Sequence, residues 1–252
     1  MKYNWNWGIL LQPEPGATGT YLHYLIVGLG WTLATALAAW VIALAIGSIV
    51  GTLRTTTNVS VVHAGDAYVE IFRNIPLIVQ MFLWFFVFPE FLPKGLGDAI
   101  KQMPPPWGSY IPAVLCLGIF TSVRVAEQVR AGIQSLPRGQ RMAGTAMGLT
   151  QFQTYRHVVL PQAFRIILPP LTSEFMNVIK NSSVALTIGL LELTGRARAM
   201  QEFSFQVFEA FAAATVIYLV TNLVVVLGMR ALERKVRVPG LIAAGGAPMA
   251  GH

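Results

Sequence analysis

Apolar residues run through this chain in blocks about as long as a bilayer is thick, separated by short polar intervals. Five blocks stand out, at about 22–53, 68–89, 110–134, 165–191 and 209–232. Each meets or exceeds the roughly 20 residues that a helix needs to cross a hydrocarbon core. The interval between the third and fourth, "RGQRMAGTAMGLTQFQTYRHVVLP", has a different pattern. Gly148 is placed to stop one helix, Thr150 to cap another with Gln153 at its third position, and Pro161 to end it. The pattern predicts two short helices around a tight turn. Phe152, Tyr155 and Val159 would form one apolar side, and Ala143, Ala146 and Met147 a small-residue side suited to close approach.

Composition agrees with the pattern: 54% of the 252 residues are hydrophobic and 12% charged, about half the charge of a soluble domain. The expected fold class is an all-α polytopic membrane protein, one domain over residues 1–240 with a small-residue tail at 241–252 expected to be disordered. The lone Cys116 has no disulfide partner and reads as a small packing residue. The N-terminal stretch lacks a cleavage pattern and is expected to be retained, with Trp5, Trp7 and Tyr21 at the membrane–water interface. Gly47 and Gly51 form a GxxxG that allows two helices to approach closely, within the chain or between chains.

The net charge of +7 does not point to nucleic acid, because the cations do not cluster with aromatics on a soluble surface. Instead they set topology. Arg130, Arg138, Arg141, Arg156 and Arg165 surround the third interval, and Arg234, Lys235 and Arg237 follow the last span. The positive-inside rule makes both cytoplasmic and leaves the N-terminus outside; Arg196 and Arg198 run against this trend.

An ionisable residue inside a span costs roughly 2.5–3.5 kcal/mol on insertion scales and marks a cavity, a pair or a pathway. In the third span Arg124 and Glu127 share a side with Thr121 and Gln128, either as an i, i+3 ion pair or as the lining of a passage. In the fourth, Ser173, Glu174, Asn177, Lys180 and Asn181 form a stripe. Asn181, Ser182 and Ser183 read equally as interhelical hydrogen bonders and as ligand contacts at a helix break. The candidate substrate site is Arg124, Glu127, Lys180, Asn181, Ser182 and Ser183. No phosphate loop, HExxH or GxSxG occurs and the four histidines lack metal spacing, so no catalyst or motor is expected in this chain. A self-sufficient carrier is the competing reading; it is disfavoured by the lack of an inverted repeat.

The third interval resembles the signature loop of ABC-importer permeases, Glu-Ala-Ala, three residues, Gly, nine residues, Ile-x-Leu-Pro, on Met142, Ala143 and Gly144, then Gly148, then Val158, Leu160 and Pro161. Met142 and Gly144 depart from that pattern. "YVEIFRNIPLIVQ", "VRVAEQVRAGIQSLPRGQ", "EFMNVIKNSSVALTIGLLEL" and "LERKVRVPG" are similar to the polar-amino-acid branch, above all to permeases of bacterial glutamate/aspartate importers. The resemblance implies a type I importer permease fold and a cytoplasmic coupling helix at about 138–161, with Ala143, Gly144, Gly148, Phe152, Tyr155, Leu160 and Pro161 facing an ATPase. It also implies a partner ATPase dimer that binds ATP and Mg, a second permease, an extracytoplasmic binding protein and a place in the bacterial inner membrane.

Overall fold

A computed structural model describes residues 3–15 and 19–236. The expected tail at 241–252, and Arg237 with it, lie outside the described residues. The chain is helical, and its longest element, α1 (Tyr21–Leu53), is begun by Thr20, whose hydroxyl accepts from the His23 amide. A helix of this length spans about 50 Å at 1.5 Å per residue. Along one of its faces Gly28, Ala36, Ala39, Ala43, Gly47 and Gly51 are buried. That stripe lies against α5 (Trp107–Gln134), the third expected span, and against α9 (Leu193–Ser204) nearer its start. A Cβ on Gly47 would come within 2.5 Å of Val125 Cβ, and one on Gly51 within 2.6 Å of the Ala126 carbonyl. The GxxxG is therefore an intrachain contact between α1 and α5. Cys116 is buried in the same seam.

The second expected span is not one straight helix. α2 (Val59–Arg73) and α3 (Leu77–Phe82), which runs on to Phe91 through a π-turn and a 3-10 turn, meet at a 98° bend. The cause is Pro76, which lacks an amide proton and drives the residue before it out of helical conformation. The buried Gln80 covers the break by donating to the carbonyls of Phe72 at 2.8 Å and Ile75 at 3.0 Å. α4 (Lys94–Lys101) follows, outside the apolar blocks.

α6 (Arg138–Ala146) and α7 (Gln151–Thr154) form the third interval. Pro161 does not end the second helix, contrary to expectation. A π-turn at Tyr155–Val159 joins α7 to α8 (Leu160–Asn181), so helix is continuous from residue 151 to 181. The wider turn just before the proline accepts a residue with no amide to give. α8 then tightens into a 3-10 segment (Ser182–Ile188) that stops at Gly189, φ +83°.

α10 (Val207–Val236) closes the bundle. Its start holds the N-terminal segment, where Glu209 accepts from the Tyr3 hydroxyl and from the Asn6 amide at 2.7 Å. Its far end reaches the start of α8, so the described chain begins and ends at opposite ends of the bundle. Among the described residues α1, α5 and α10 are long and apolar enough to cross a membrane, and the bent α2–α3 pair would make a fourth. α8, the remaining expected span, is long enough but carries Arg165, Glu174 and Lys180 and sits between α5 and α10.

The three aromatics expected at the interface differ in exposure. Trp5 and Trp7 are exposed and stacked at 5.8 Å, whereas Tyr21 is 3% exposed, packed with Leu25 and Leu193. The two cations on the wrong side of the charge pattern are spent locally. Arg196 lies over the Tyr24 ring and donates to the Leu191 and Tyr24 carbonyls, and Arg198 pairs with Glu202.

Candidate functional site

Where α2, α5 and α8 come together they enclose a polar pocket of about 290 Å³. Phe72 and Arg73 come from α2, Phe120, Val123, Arg124, Glu127 and Gln128 from α5, and Glu174 from α8. Two of the predicted site residues, Arg124 and Glu127, thus line one cavity. Of the two readings for them, the i, i+3 ion pair does not form. Glu127 accepts from Arg54 Nη1 at 2.9 Å and lies 3.6 Å from Arg73 Nη2. Arg124 lies 3.5 Å from Glu174 Oε2 and 5.2 Å from the centre of the Phe120 ring. That Glu174 oxygen is buried and has no hydrogen-bond donor, so the contact is a charge pairing without an aligned bond.

Behind the pocket the charges continue. Arg54, 6% exposed just past the end of α1, also donates to Asp66 at 2.7 Å, and Asp66 accepts from Arg130 at 3.3 Å. Four guanidinium groups, those of Arg54, Arg73, Arg124 and Arg130, face three carboxylates, those of Asp66, Glu127 and Glu174. The excess of one positive charge lies in a network whose arginines also stitch α1 and α2 to α5. Sequence reasoning missed Arg54, Asp66 and Arg73. Arg54 and Asp66 stand at the edges of apolar blocks, where a charge is ordinary, whereas Arg73 lies inside the second block, and that position was its signal.

Lys180, Asn181, Ser182 and Ser183 do not line this pocket. They sit where α8 tightens, the expected break, and the two serine hydroxyls bond back to the carbonyls of Ile179 and Lys180. Lys180 is exposed.

The third interval is a second site with a clear geometry. Gly148, φ +76°, ends α6, with the Leu149 amide bonded to the Gly144 carbonyl and the Gly148 amide to Thr145. This is a glycine C-cap that a β-carbon would strain. Thr150 and Gln153 complete the expected capping box. Gly144 faces α7 so closely that a Cβ would lie 2.7 Å from Thr154 Cγ2. The departure from alanine at this position therefore has a steric cause in its neighbour. The expected single apolar side is divided. Val159 is buried and Tyr155 donates to the Thr55 carbonyl at 2.9 Å, tying the loop to the end of α1, while Phe152 and Met147 each stand 72% exposed. The π-turn separates Phe152 from Val159 by changing the angular step between them. Ala143 is exposed and Leu160 packs inward, with Pro161 beside it at the start of α8.

Residues 43–238 match the family described as "Binding-protein-dependent transport system inner membrane component". The chain belongs to this family. Among curated relatives of the permease, the glutamate/aspartate import permease protein GltJ of Escherichia coli K12 is 48% identical over 95% of this chain and 98% of its own length. The glutamine transport system permease protein GlnP of the same bacterium is 31% identical over 90% of this chain and all of its own. The solved structure titled an amino acid ABC transporter with histidines matches with a TM-score of 0.72 at 30% identity, covering 85% of this chain and 95% of that one. An inward-facing MetNI methionine ABC transporter shares the fold at 20% identity, with a TM-score of 0.74 over 90% of this permease and 100% of the matched chain. The architecture is that of a type I importer permease.

Proposed function

We propose that this permease forms one half of the pathway of an ATP-driven importer for acidic amino acids, glutamate and aspartate. The observation that carries the reading is the pocket's charge balance: Glu127 is occupied by Arg54, so Arg124 remains half-exposed in a network with one cation to spare. A guanidinium there can take a carboxylate through two parallel hydrogen bonds. Near-full-length identity to GltJ supports the same substrates. Glutamine, suggested by GlnP, has a neutral side chain that leaves the spare charge unanswered.

In this reading the loop end of the bundle is cytoplasmic, the N-terminus lies outside, and Phe152, Met147 and Ala143 meet an ATPase dimer that binds ATP and Mg. A paralogous permease completes the passage, and an extracytoplasmic binding protein delivers the solute. Glu127 holds the network behind Arg124, and Lys180, Asn181, Ser182 and Ser183 form a second polar station at the break of α8. The test is reconstitution with ATPase, second permease and binding protein in liposomes. Glutamate and aspartate uptake should exceed glutamine uptake at saturating binding protein; a preference for glutamine would overturn the assignment.

A further inference from the structure

A groove of about 710 Å³ runs along the bundle between the end of α1 and the start of α8. Its walls are Ile49 and Leu53 from α1 and Phe164, Ile167 and Leu171 from α8, with Val129 of α5 between them. The lining is almost wholly apolar, and the volume is that of an ordinary ligand site. Ile49, Leu53 and Phe164 are exposed in it, two on α1, which is long and apolar enough to cross a membrane, and one near the start of α8.

Two arginines interrupt this surface. Arg156, in the π-turn, and Arg165, nine residues on, both line the groove, and neither makes an ion pair with a described residue. About 13 Å of helix separates their backbones, and both long side chains border the one groove. An apolar slot with two unanswered cations at its loop end has the chemistry of a lipid with an anionic headgroup.

We propose that this groove holds an acyl chain of an anionic phospholipid whose phosphate lies between Arg156 and Arg165. A second copy of the chain is a poorer occupant, because a twofold contact through this patch would bring the same cations together. A zwitterionic lipid offers the acyl chain but adds its own cation beside the phosphate. The inference does not depend on which solute the permease carries.

The test is native mass spectrometry of the full importer complex, delipidated and then titrated with phosphatidylglycerol or phosphatidylcholine. Phosphatidylglycerol should be retained at least about fivefold better, and Arg156→Gln/Arg165→Gln should abolish that preference while Arg165→Lys keeps most of it. Ser48→Trp, which fills the groove from the exposed side of α1, should lower retention of both lipids with the arginines intact. Equal retention of the two lipids by the wild-type complex, or an undiminished preference in the double variant, would overturn the proposal. So would a change in the number of permease subunits per complex on Ser48→Trp, which would make the groove a subunit contact. Should the double variant fail to assemble, Ser48→Trp and Arg165→Lys still decide the matter.

Discussion

Glu127 takes its 2.9 Å hydrogen bond from Arg54, 73 residues earlier, and not from Arg124, which stands one turn away on the same helix. The local pair that the sequence offers is given up for a distant one, and this frees Arg124 for the pocket.

Arg124→Tyr should lower glutamate uptake and glutamate-stimulated ATPase activity about tenfold. A hydrogen bond to a charged group contributes about 1.5–3 kcal/mol, and the half-exposure of Arg124 argues for the lower end. Arg124→Lys, which keeps the charge but not the planar fork, should restore only part. Wild-type transport by Arg124→Tyr at saturating binding protein would remove Arg124 from the site.

Arg54→Met should destabilise the complex by about 2–3 kcal/mol, seen as a lowered midpoint in detergent thermal unfolding. Removing one partner of a fully buried pair costs about 3–5 kcal/mol. Asp66 and Glu127 are each about one-third exposed, with side chains at 37% and 34%, so water recovers part. Adding Glu127→Gln should return some of the loss, since it withdraws one of the stranded charges.

Gly148→Val should uncouple the loop while leaving membrane insertion intact. A β-branched residue at φ +76° costs about 1–2 kcal/mol, enough to redirect the turn between α6 and α7. Phe152→Asp should uncouple by a different route, placing a charge on an exposed ring's position. Unchanged transport-coupled ATPase activity in both proteins would count against an ATPase contact here.

Two glycines of α1 should respond with opposite signs. Gly30 has nothing within 4 Å of an added Cβ, so Gly30→Ala should be neutral or stabilising by up to about 1 kcal/mol. Gly47→Ala places the same methyl 2.5 Å from Val125 and should destabilise by about 1–3 kcal/mol. Thermal unfolding of the two variants side by side measures the difference.

What the sequence disclosed was local. The first, third and fifth spans, the Gly148 stop and the Thr150–Gln153 capping box depend on neighbours within a few residues, and each stands close to where the pattern put it. What it hid was either long-range or a matter of fine register. Arg54 reads as a boundary cation until α5 is packed against it. Pro161 reads as a helix stop until the π-turn before it is seen to make room. The split between Phe152 and Val159 follows from that same extra residue per turn, which no count of 3.6 anticipates. The bend at Pro76 was written in plain view, but an unbroken apolar run drew the line straight through it.

From residue 151 to 181 the helix does not stop, so Phe152 and Glu174 are the two ends of one arm. Pro169 and Pro170, which withdraw two backbone donors, mark where that arm can flex. If a motor pushes on the phenylalanine, the stroke arrives at the carboxylate facing Arg124 and changes a 3.5 Å separation. The cation would then be bare or screened according to the position of the arm, and the hold on an acidic solute would follow the engine's cycle rather than the solute's own affinity.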